Sequence, residues 1–263
     1  KEFYGKKIRK PYLPTDIQPM NTIKPTFRSF GSDNNSGVHP EIMDAVCRAN
    51  LNHAIGYGEN SWTEDANRSF KALFGSACAV FPVFNGTGAN SIAVQACTRS
   101  HHAVIVGQHA HILTDECGAP FKMSGTSPIL VPSANGKLNP QDILPYLSGL
   151  GVVHHPQPKA IYISQASELG TVYRIEEIEA LSRLAHEHSM YLIMDGARLA
   201  NACAFLSCSL SRCTIEAGVD LLSFGGTKNG MMMGEAVISF RPELNENIAY
   251  IRKQSAQLAS KMR

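Results

Sequence analysis

The sequence has little charge and none of the long apolar runs that mark membrane segments. Only 17% of its 263 residues are charged, and 24 Lys+Arg against 22 Asp+Glu give a net charge of +2. No apolar run approaches the ~20 residues of a membrane-spanning helix, and the basic, proline-broken stretch 1–30 lacks the apolar core of a signal peptide. Without clustered Lys or Arg, a nucleic-acid partner is not expected. The sequence predicts a cytoplasmic protein that acts on small molecules and binds neither membranes nor nucleic acid.

Cysteine pairs at metal-ligand spacing are also absent. The seven cysteines include no C-x-x-C pair, so neither a zinc ribbon nor a disulfide framework is indicated. Cys203, Cys208 and Cys213 follow one another at spacings of five residues, which is wider than thiolate zinc sites favour. The histidine pairs lack a second ligand pair at a recognisable spacing. We therefore expect no metal site and expect most of the cysteines to be small buried hydrophobic residues.

The sequence does contain an alternation of two hydrophobic periods. Short apolar runs rich in β-branched or aromatic residues predict seven buried strands. They cover residues 79–84, 103–106, 129–131, 159–164, 191–194, 220–224 and 236–240. Amphipathic segments lie between them, and the clearest, 175–188, has glutamates crowded at its start, as a helix dipole favours. This order predicts an α/β fold: a mainly parallel seven-stranded sheet with helices on both faces.

In an open parallel sheet, ligands bind at the carboxyl ends of the strands, so the residues that follow each apolar run are the candidate ligand contacts. After the first run comes Asn85-Gly86-Thr87-Gly88, where glycines admit a ligand and a helix begins with free N–H groups. This is a candidate phosphate cradle, although a plain glycine turn explains it equally well. Ser91 replaces the third glycine of the dinucleotide fingerprint and the P-loop lysine is missing, so a dinucleotide is disfavoured.

Three further strand ends carry reactive side chains. Asp195 directly follows a buried run, where a carboxylate is costly unless it meets a cation or a donor, and Arg198 is a candidate partner. Lys228 lies in a glycine-flanked loop, where desolvation or a nearby cation would make its amine nucleophilic. His109 and His111 alternate after the second run, positioned to stack on a ligand or to protonate it.

An anion cradle, a carboxylate and a lysine at three strand ends of one sheet are what pyridoxal phosphate requires. At these residues the chain also resembles the L-threonine aldolases of the β-eliminating lyase group, pyridoxal-phosphate enzymes of the aspartate-aminotransferase fold. The resemblance runs from about Phe27 to Arg263. Its most specific segments are Ser32-Asp33-Asn34, Gly56-Tyr57-Gly58-Glu59, Asn85-Gly86-Thr87-Gly88, Gln108-His109-Ala110-His111, Met194-Asp195-Gly196-Ala197-Arg198-Leu199 and Thr227-Lys228-Asn229-Gly230.

The resemblance implies a role for each matching residue. Lys228 is similar to the lysine that binds the cofactor covalently, Asp195 to the residue that holds the pyridinium, and His111 to the histidine stacked on the ring. The implied phosphate ligands are Gly86, Thr87 and Gly88. Arg198 lies beside the cofactor and, with Ser32, is expected to contact the substrate carboxylate.

Two implied roles concern a neighbouring subunit, so the resemblance predicts a homodimer or homotetramer with shared active sites. Tyr57 resembles the tyrosine offered to the neighbour's site, and Arg263 the arginine that reaches the neighbour's phosphate. The chain departs from the family at 164–168, where Ser-Gln-Ala-Ser-Glu replaces the Glu-Asn-Thr-His-Asn of many members. No role is carried over to that strand end.

The implied reaction is cleavage of L-threonine or L-allo-threonine to glycine and acetaldehyde. The catalytic base stays open between His111, His109 and a water. The alternatives are another reaction on the same cofactor, namely β-elimination, hydroxymethyl transfer or transamination, and a scaffold that has lost catalysis.

The family resemblance also predicts the domain organisation. Residues 1–30 would be an N-terminal extension, 31–245 the cofactor-binding domain, and 246–263 the start of a connection to a small C-terminal domain missing from this chain. In the family, that small domain supplies a further arginine for the substrate.

Overall fold

The structure is a computed structural model that describes residues 28–263. The chain divides into two units, Lys1–Ser36 and Gly37–Arg263. In the described part of the first unit, Asp33–Asn35 forms a 3-10 turn, because the Oγ of Ser32 accepts a hydrogen bond from the N–H of Asn34 at 3.2 Å. Most of the predicted N-terminal extension lies outside the described residues.

A seven-stranded sheet forms the centre of the second unit. The strands are β1 (Ala79–Val83), β2 (His102–Gly107), β3 (Ser127–Val131), β4 (Gln157–Ser164), β5 (Tyr191–Gly196), β6 (Leu221–Gly225) and β7 (Glu235–Ser239). Their order across the sheet is β1-β7-β6-β5-β4-β2-β3. All neighbouring pairs from β3 to β6 are parallel, whereas β7 runs antiparallel to both β6 and β1. The predicted strands and the mainly parallel sheet are confirmed.

Helices cover both faces of this sheet. The α-helices of the described residues are α1 (Pro40–Ala49), α2 (Ser61–Phe74), α3 (Gly86–Cys97), α4 (His111–Thr114), α5 (Ala119–Ser124), α6 (Pro140–Ile143), α7 (Ile175–Glu187), α8 (Leu199–Leu206) and α9 (Asn245–Gln254). Two hydrophobic cores follow from the alternation of side chains along the strands. Ile161 and Leu192 point into the core that α7 and α8 cover, and Tyr162 and Ile193 point into the core that α3 covers.

Two helices illustrate how the sequence specifies these elements. The helix predicted at 175–188 is confirmed as α7, and its start is fixed where the N–H of Arg174 donates to Glu177 Oε2 at 2.6 Å. α3 is buried along most of its length and begins directly after β1, because Asn85 caps it by accepting the N–H of Gly88 at 2.8 Å. The N-terminus of α3 therefore lies at the carboxyl end of the parallel strands.

The C-terminal helix α9 packs against α3 and β1, and its Ile248 is fully buried. The predicted domain boundary at residue 245 and the predicted small C-terminal domain stay predictions. Among the described helices, none has the length and apolar character required to cross a bilayer.

Candidate active site

The loops that follow β5 and β6 are held together at the carboxyl edge of the sheet. Lys228 lies in the 3-10 turn Thr227–Asn229, and the side-chain amide of Asn229 donates to the carbonyl of Gly225 at 2.7 Å and to that of Ala197 at 3.5 Å. A Cβ on Gly225 would lie 2.8 Å from the Cα of Ala197, so only glycine permits this approach. The lysine turn is thereby fixed beside the end of the strand that carries Asp195.

Asp195 is only 5% exposed, and its hydrogen bonds come from three neutral donors. The side-chain amide of Asn90 and the hydroxyl of Tyr162 donate to Oδ2 at 3.1 and 2.8 Å, and the N–H of Ala197 donates to Oδ1 at 2.9 Å. Burial, together with the charge of Asp195, raises the pKa of Tyr162 well above its usual value, so the hydroxyl keeps its proton. The site thus holds an oriented buried carboxylate whose charge these donors do not neutralise.

A second buried carboxyl group, Glu116, lies on the other side of Asn90. The amide of Asn90 donates to Glu116 Oε1 at 3.0 Å, so one amide bridges both acidic groups, while Glu116 Oε2 has no hydrogen-bond partner. Burial raises the pKa of Glu116, the hydrogen bond from Asn90 opposes this effect, and the charge of Asp195 adds to it.

The N-terminus of α3 lies where the anion cradle is predicted. Within the described part of the chain, the N–H groups of Gly86 and Thr87 donate to no protein acceptor, and the space where Gly86 would carry a Cβ is open. Gln257 borders the cradle, because its Oε1 accepts the N–H of Phe84 at 2.9 Å and its amide lies 2.4–2.7 Å from the position of a Cβ on Gly88. The Gln257 amide can lie this close to the backbone because residue 88 is glycine.

His111 begins α4 and is positioned by the segment that departs from the family pattern. Its N–H donates to Glu168 Oε1 at 2.8 Å, and the hydroxyl of Ser164 donates to the same oxygen at 2.6 Å. The half-exposed ring lies between two acidic side chains, with Nε2 3.9 Å from Glu116 and Nδ1 3.9 Å from Asp115. Glu168 thus positions the start of α4 beside the site. The sequence analysis assigned no role to this residue.

The remaining predicted residues are less tightly grouped. Arg198 is half-buried at the start of α8, three residues after Asp195. Tyr57 is 52% exposed, with Lys253 Nζ 5.1 Å from its ring centroid, and Arg263 donates from Nη1 to the carbonyls of Leu51 and Asn52. Ser32 belongs to the first unit, and its predicted contact with the substrate stays a prediction.

Sequence reasoning missed four residues that shape this site: Asn90, Glu116, Tyr162 and Gln257. Asn90 and Tyr162 interrupt apolar stretches of a helix and a strand, which is a detectable signal because a buried polar group needs a partner. Their partner, however, is Asp195, which lies 105 and 33 residues away along the chain. Gln257 follows α9 and contacts α3 only because these helices pack together, so no local sequence pattern predicts its position at the site.

The fold and this arrangement define the class of protein. The sheet and helices superpose on those of a mutant aspartate aminotransferase from Thermus thermophilus with a TM-score of 0.63 at 18% identity, over 86% of this chain and 63% of that one. The match shows that this α/β architecture is the aminotransferase fold.

Sequence similarity then shows the family within that class. The chain belongs to the beta-eliminating lyases, whose family sequence model matches residues 29–263. It is 47% identical over 237 residues to a low-specificity L-threonine aldolase of Pseudomonas aeruginosa, covering 90% of this chain and 68% of that one. It also superposes on the threonine aldolase of Leishmania major with a TM-score of 0.82 at 34% identity, over 88% of this chain and 67% of the other. The predicted family is confirmed.

Proposed function

We propose that this protein cleaves L-threonine and L-allo-threonine to glycine and acetaldehyde with pyridoxal 5'-phosphate as cofactor. The names of its relatives in Pseudomonas aeruginosa and Leishmania major support the reaction. The side chains at the carboxyl edge of the sheet support the cofactor.

One observation carries this proposal: Asp195 is a buried carboxylate whose hydrogen bonds come from neutral groups. Such a charge is costly unless a cation neutralises it. A protonated pyridine nitrogen supplies that cation. At the same edge of the sheet, the α3 N-terminus offers unpaired N–H groups to an anion and Lys228 offers an amine. Anion site, carboxylate and amine match the three functional parts of pyridoxal phosphate.

When bound, the cofactor supplies an electron sink for the pair released from the breaking Cα–Cβ bond. Asp195 would keep the proton on the ring nitrogen, and the N–H groups of Gly86 and Thr87 would hold the phosphate. Lys228 would provide the amine that anchors the cofactor and that the substrate's amine displaces. These residues therefore bind and orient the reacting groups rather than supply the electron sink themselves.

The substrate needs two further contacts. Arg198 would hold its carboxylate with two parallel N–H donors, which would fix the orientation of the substrate. The proton of the β-hydroxyl must leave to a base, for which His111, His109 and a water are candidates. Glu116 Oε1 lies 3.9 Å from His111 Nε2.

Product analysis tests the reaction. With L-threonine, the purified protein should release acetaldehyde and glycine in equal amounts, and the reverse condensation should proceed from glycine and acetaldehyde. Formation of 2-oxobutyrate and ammonia would instead assign β-elimination, and glycine-dependent exchange with a one-carbon donor or a 2-oxo acid would assign hydroxymethyl transfer or transamination. No product from any amino acid, despite bound cofactor, would leave the scaffold alternative.

We also propose a homo-oligomer, either a dimer or a tetramer, with active sites shared between subunits. Exposed apolar side chains support it, since Met231, Met232 and Met233 lie beside the Lys228 turn and Tyr57 is half-exposed. Inactive Lys228→Ala chains mixed with impaired Tyr57→Phe chains should then regain activity as hybrids, because one site receives both wild-type residues. Confirmed subunit exchange without recovery would contradict sharing.

All seven cysteines are free, which supports the proposed cytoplasmic location.

A further inference from the structure

Three cysteines that are separated in sequence meet behind the candidate active site. The Sγ atoms of Cys203, Cys208 and Cys213 all lie within 4.8 Å of one another, and we call them the thiol cluster. The helix α8 ends at Leu206, and Ser207 adopts a left-handed φ of 52° that reverses the chain. The N–H of Cys208 then donates to the carbonyl of Cys203 at 3.1 Å. The fold thus overcomes the spacing of five residues that argued against a metal site.

The dimensions of the thiol cluster suit a small thiophilic cation. Three thiolates around Zn²⁺, each at ~2.3 Å, lie ~4.0 Å apart in a trigonal arrangement. Sulfur atoms within 4.8 Å of one another reach that separation by small side-chain rotations. Cys203 and Cys213 are buried whereas Cys208 is half-buried, so the cluster is open to solvent on one side. That side provides an entry path and a position for a water as fourth ligand.

The surroundings of the thiol cluster also favour bound metal. The side-chain amide of Gln165 donates to the Sγ of Cys213 at 3.4 Å, which orients this sulfur as second-shell hydrogen bonds orient metal ligands.

We propose that the thiol cluster binds one thiophilic d10 cation per chain, with Zn²⁺ or Cd²⁺ as the suitable ions. Three sulfur–hydrogen bonds break, three metal–sulfur bonds form, and three protons pass to solvent, so nothing is oxidised or reduced. The backbone N–H of Gln165 donates to the carbonyl of Asp195 at 2.8 Å. Gln165 would therefore connect the ion to the backbone of Asp195, and the ion would not contact the Asp195 carboxylate.

Titration of the reduced, tag-free protein with Cd²⁺ tests this proposal. Thiolate-to-metal charge-transfer absorption should rise linearly to one ion per chain, with release of the thiol protons. Cd²⁺ added to protein loaded with Zn²⁺ should displace the Zn²⁺ and produce the same absorption, because thiolate ligands prefer the softer ion. Cys208→Ser should weaken binding by at least about tenfold, and Cys213→Ser should abolish it. Cys47→Ser, at an exposed cysteine, is the matched control and should titrate like wild type.

Two results would overturn the proposal. Wild-type protein that shows no charge-transfer absorption under reducing conditions has no thiolate site. Equal absorption and stoichiometry in wild type and Cys208→Ser would assign the ion to other residues. Cys208 is half-buried at the rim, so Cys208→Ser carries the test even where Cys213→Ser fails to fold, as circular dichroism would show.

Discussion

Asp195 and Asp220 are two buried carboxylates at opposite edges of the same sheet, with exposures of 5% and 1%. Asp220 directly precedes β6, and its side chain meets groups from two elements: the guanidinium of Arg241 through Nε, and the ring of His186, whose Nε2 lies at 3.0 Å. The N–H of Leu192 also donates to it at 2.7 Å. Asp195, at the end of β5, receives its hydrogen bonds from the neutral groups of Asn90, Tyr162 and Ala197.

The difference separates a carboxylate that stabilises the fold from one that the proposed function assigns to a ligand. Arg241 compensates the burial of Asp220, so this residue has no charge left for a ligand. The neutral donors that residues 28–263 provide to Asp195 orient its oxygens, and in the proposed function the cofactor supplies the cation. Burial alone did not distinguish the two residues; the chemistry of their partners did.

The largest effect on activity is expected when the amine of Lys228, at the carboxyl edge of the sheet, is removed. Lys228→Ala should reduce turnover by roughly 10⁴-fold or more, because no other group replaces a covalently acting lysine. The visible absorption of lysine-bound cofactor should vanish while the circular dichroism spectrum stays that of wild type. Lys122→Ala, at an exposed position of α5, is the control and should match wild type in both measurements. Cofactor absorption retained in Lys228→Ala would show that another lysine is used.

At the opposite edge, the expected effect is on stability. Asp220→Ala should lower the free energy of unfolding by about 2–4 kcal/mol, since Arg241 loses its counter-ion and His186 and the N–H of Leu192 lose a hydrogen-bond partner. Urea unfolding measures this change, and the activity per folded molecule should not fall. Asp44→Ala, at an exposed position of α1, should be neutral. Unchanged stability in Asp220→Ala would refute the structural role of this carboxylate.

A smaller, pH-dependent effect is expected at Glu116. Its folded-state pKa is raised above 4.5 by burial, so the stability that its protonated form contributes is present at low pH and is lost as the pH rises through the folded pKa. Glu116→Gln removes this loss. Its melting temperature relative to wild type should therefore increase as the pH rises from 4.5 through the folded-state pKa of Glu116.

Asp115→Asn controls for the Glu116 experiment, because Asp115 is the exposed neighbouring carboxylate. Its melting temperature relative to wild type should stay constant across the same range. A constant difference for Glu116→Gln as well would mean that burial does not raise the pKa of Glu116.

The strands, the helix α7 and the carboxyl-edge location of the site could all be predicted, because each is encoded in a local pattern. Hydrophobic periodicity specifies the elements, and polar residues after apolar runs mark the strand ends. Glu116 and Asn90 could not be predicted because their role depends on tertiary contacts. The Asn90 side chain, on α3, donates both to Glu116 and to Asp195, which lie far from it in sequence. The thiol cluster escaped for a related reason: the reversal at Ser207 brings together cysteines whose spacing argued against a site.

In the proposed function, the buried carboxylate of Asp195 binds the cationic ring of the cofactor. Cofactor-dependent thermal stabilisation tests this interaction. Pyridoxal phosphate added to cofactor-free wild-type protein should raise the melting temperature, since a ligand that binds only the folded state stabilises it. Asp195→Asn keeps the shape and removes the charge. The cofactor-free variant should melt close to wild type, and its cofactor-induced shift should be much smaller. An equal shift in wild type and Asp195→Asn would contradict the claim that this carboxylate holds the cofactor.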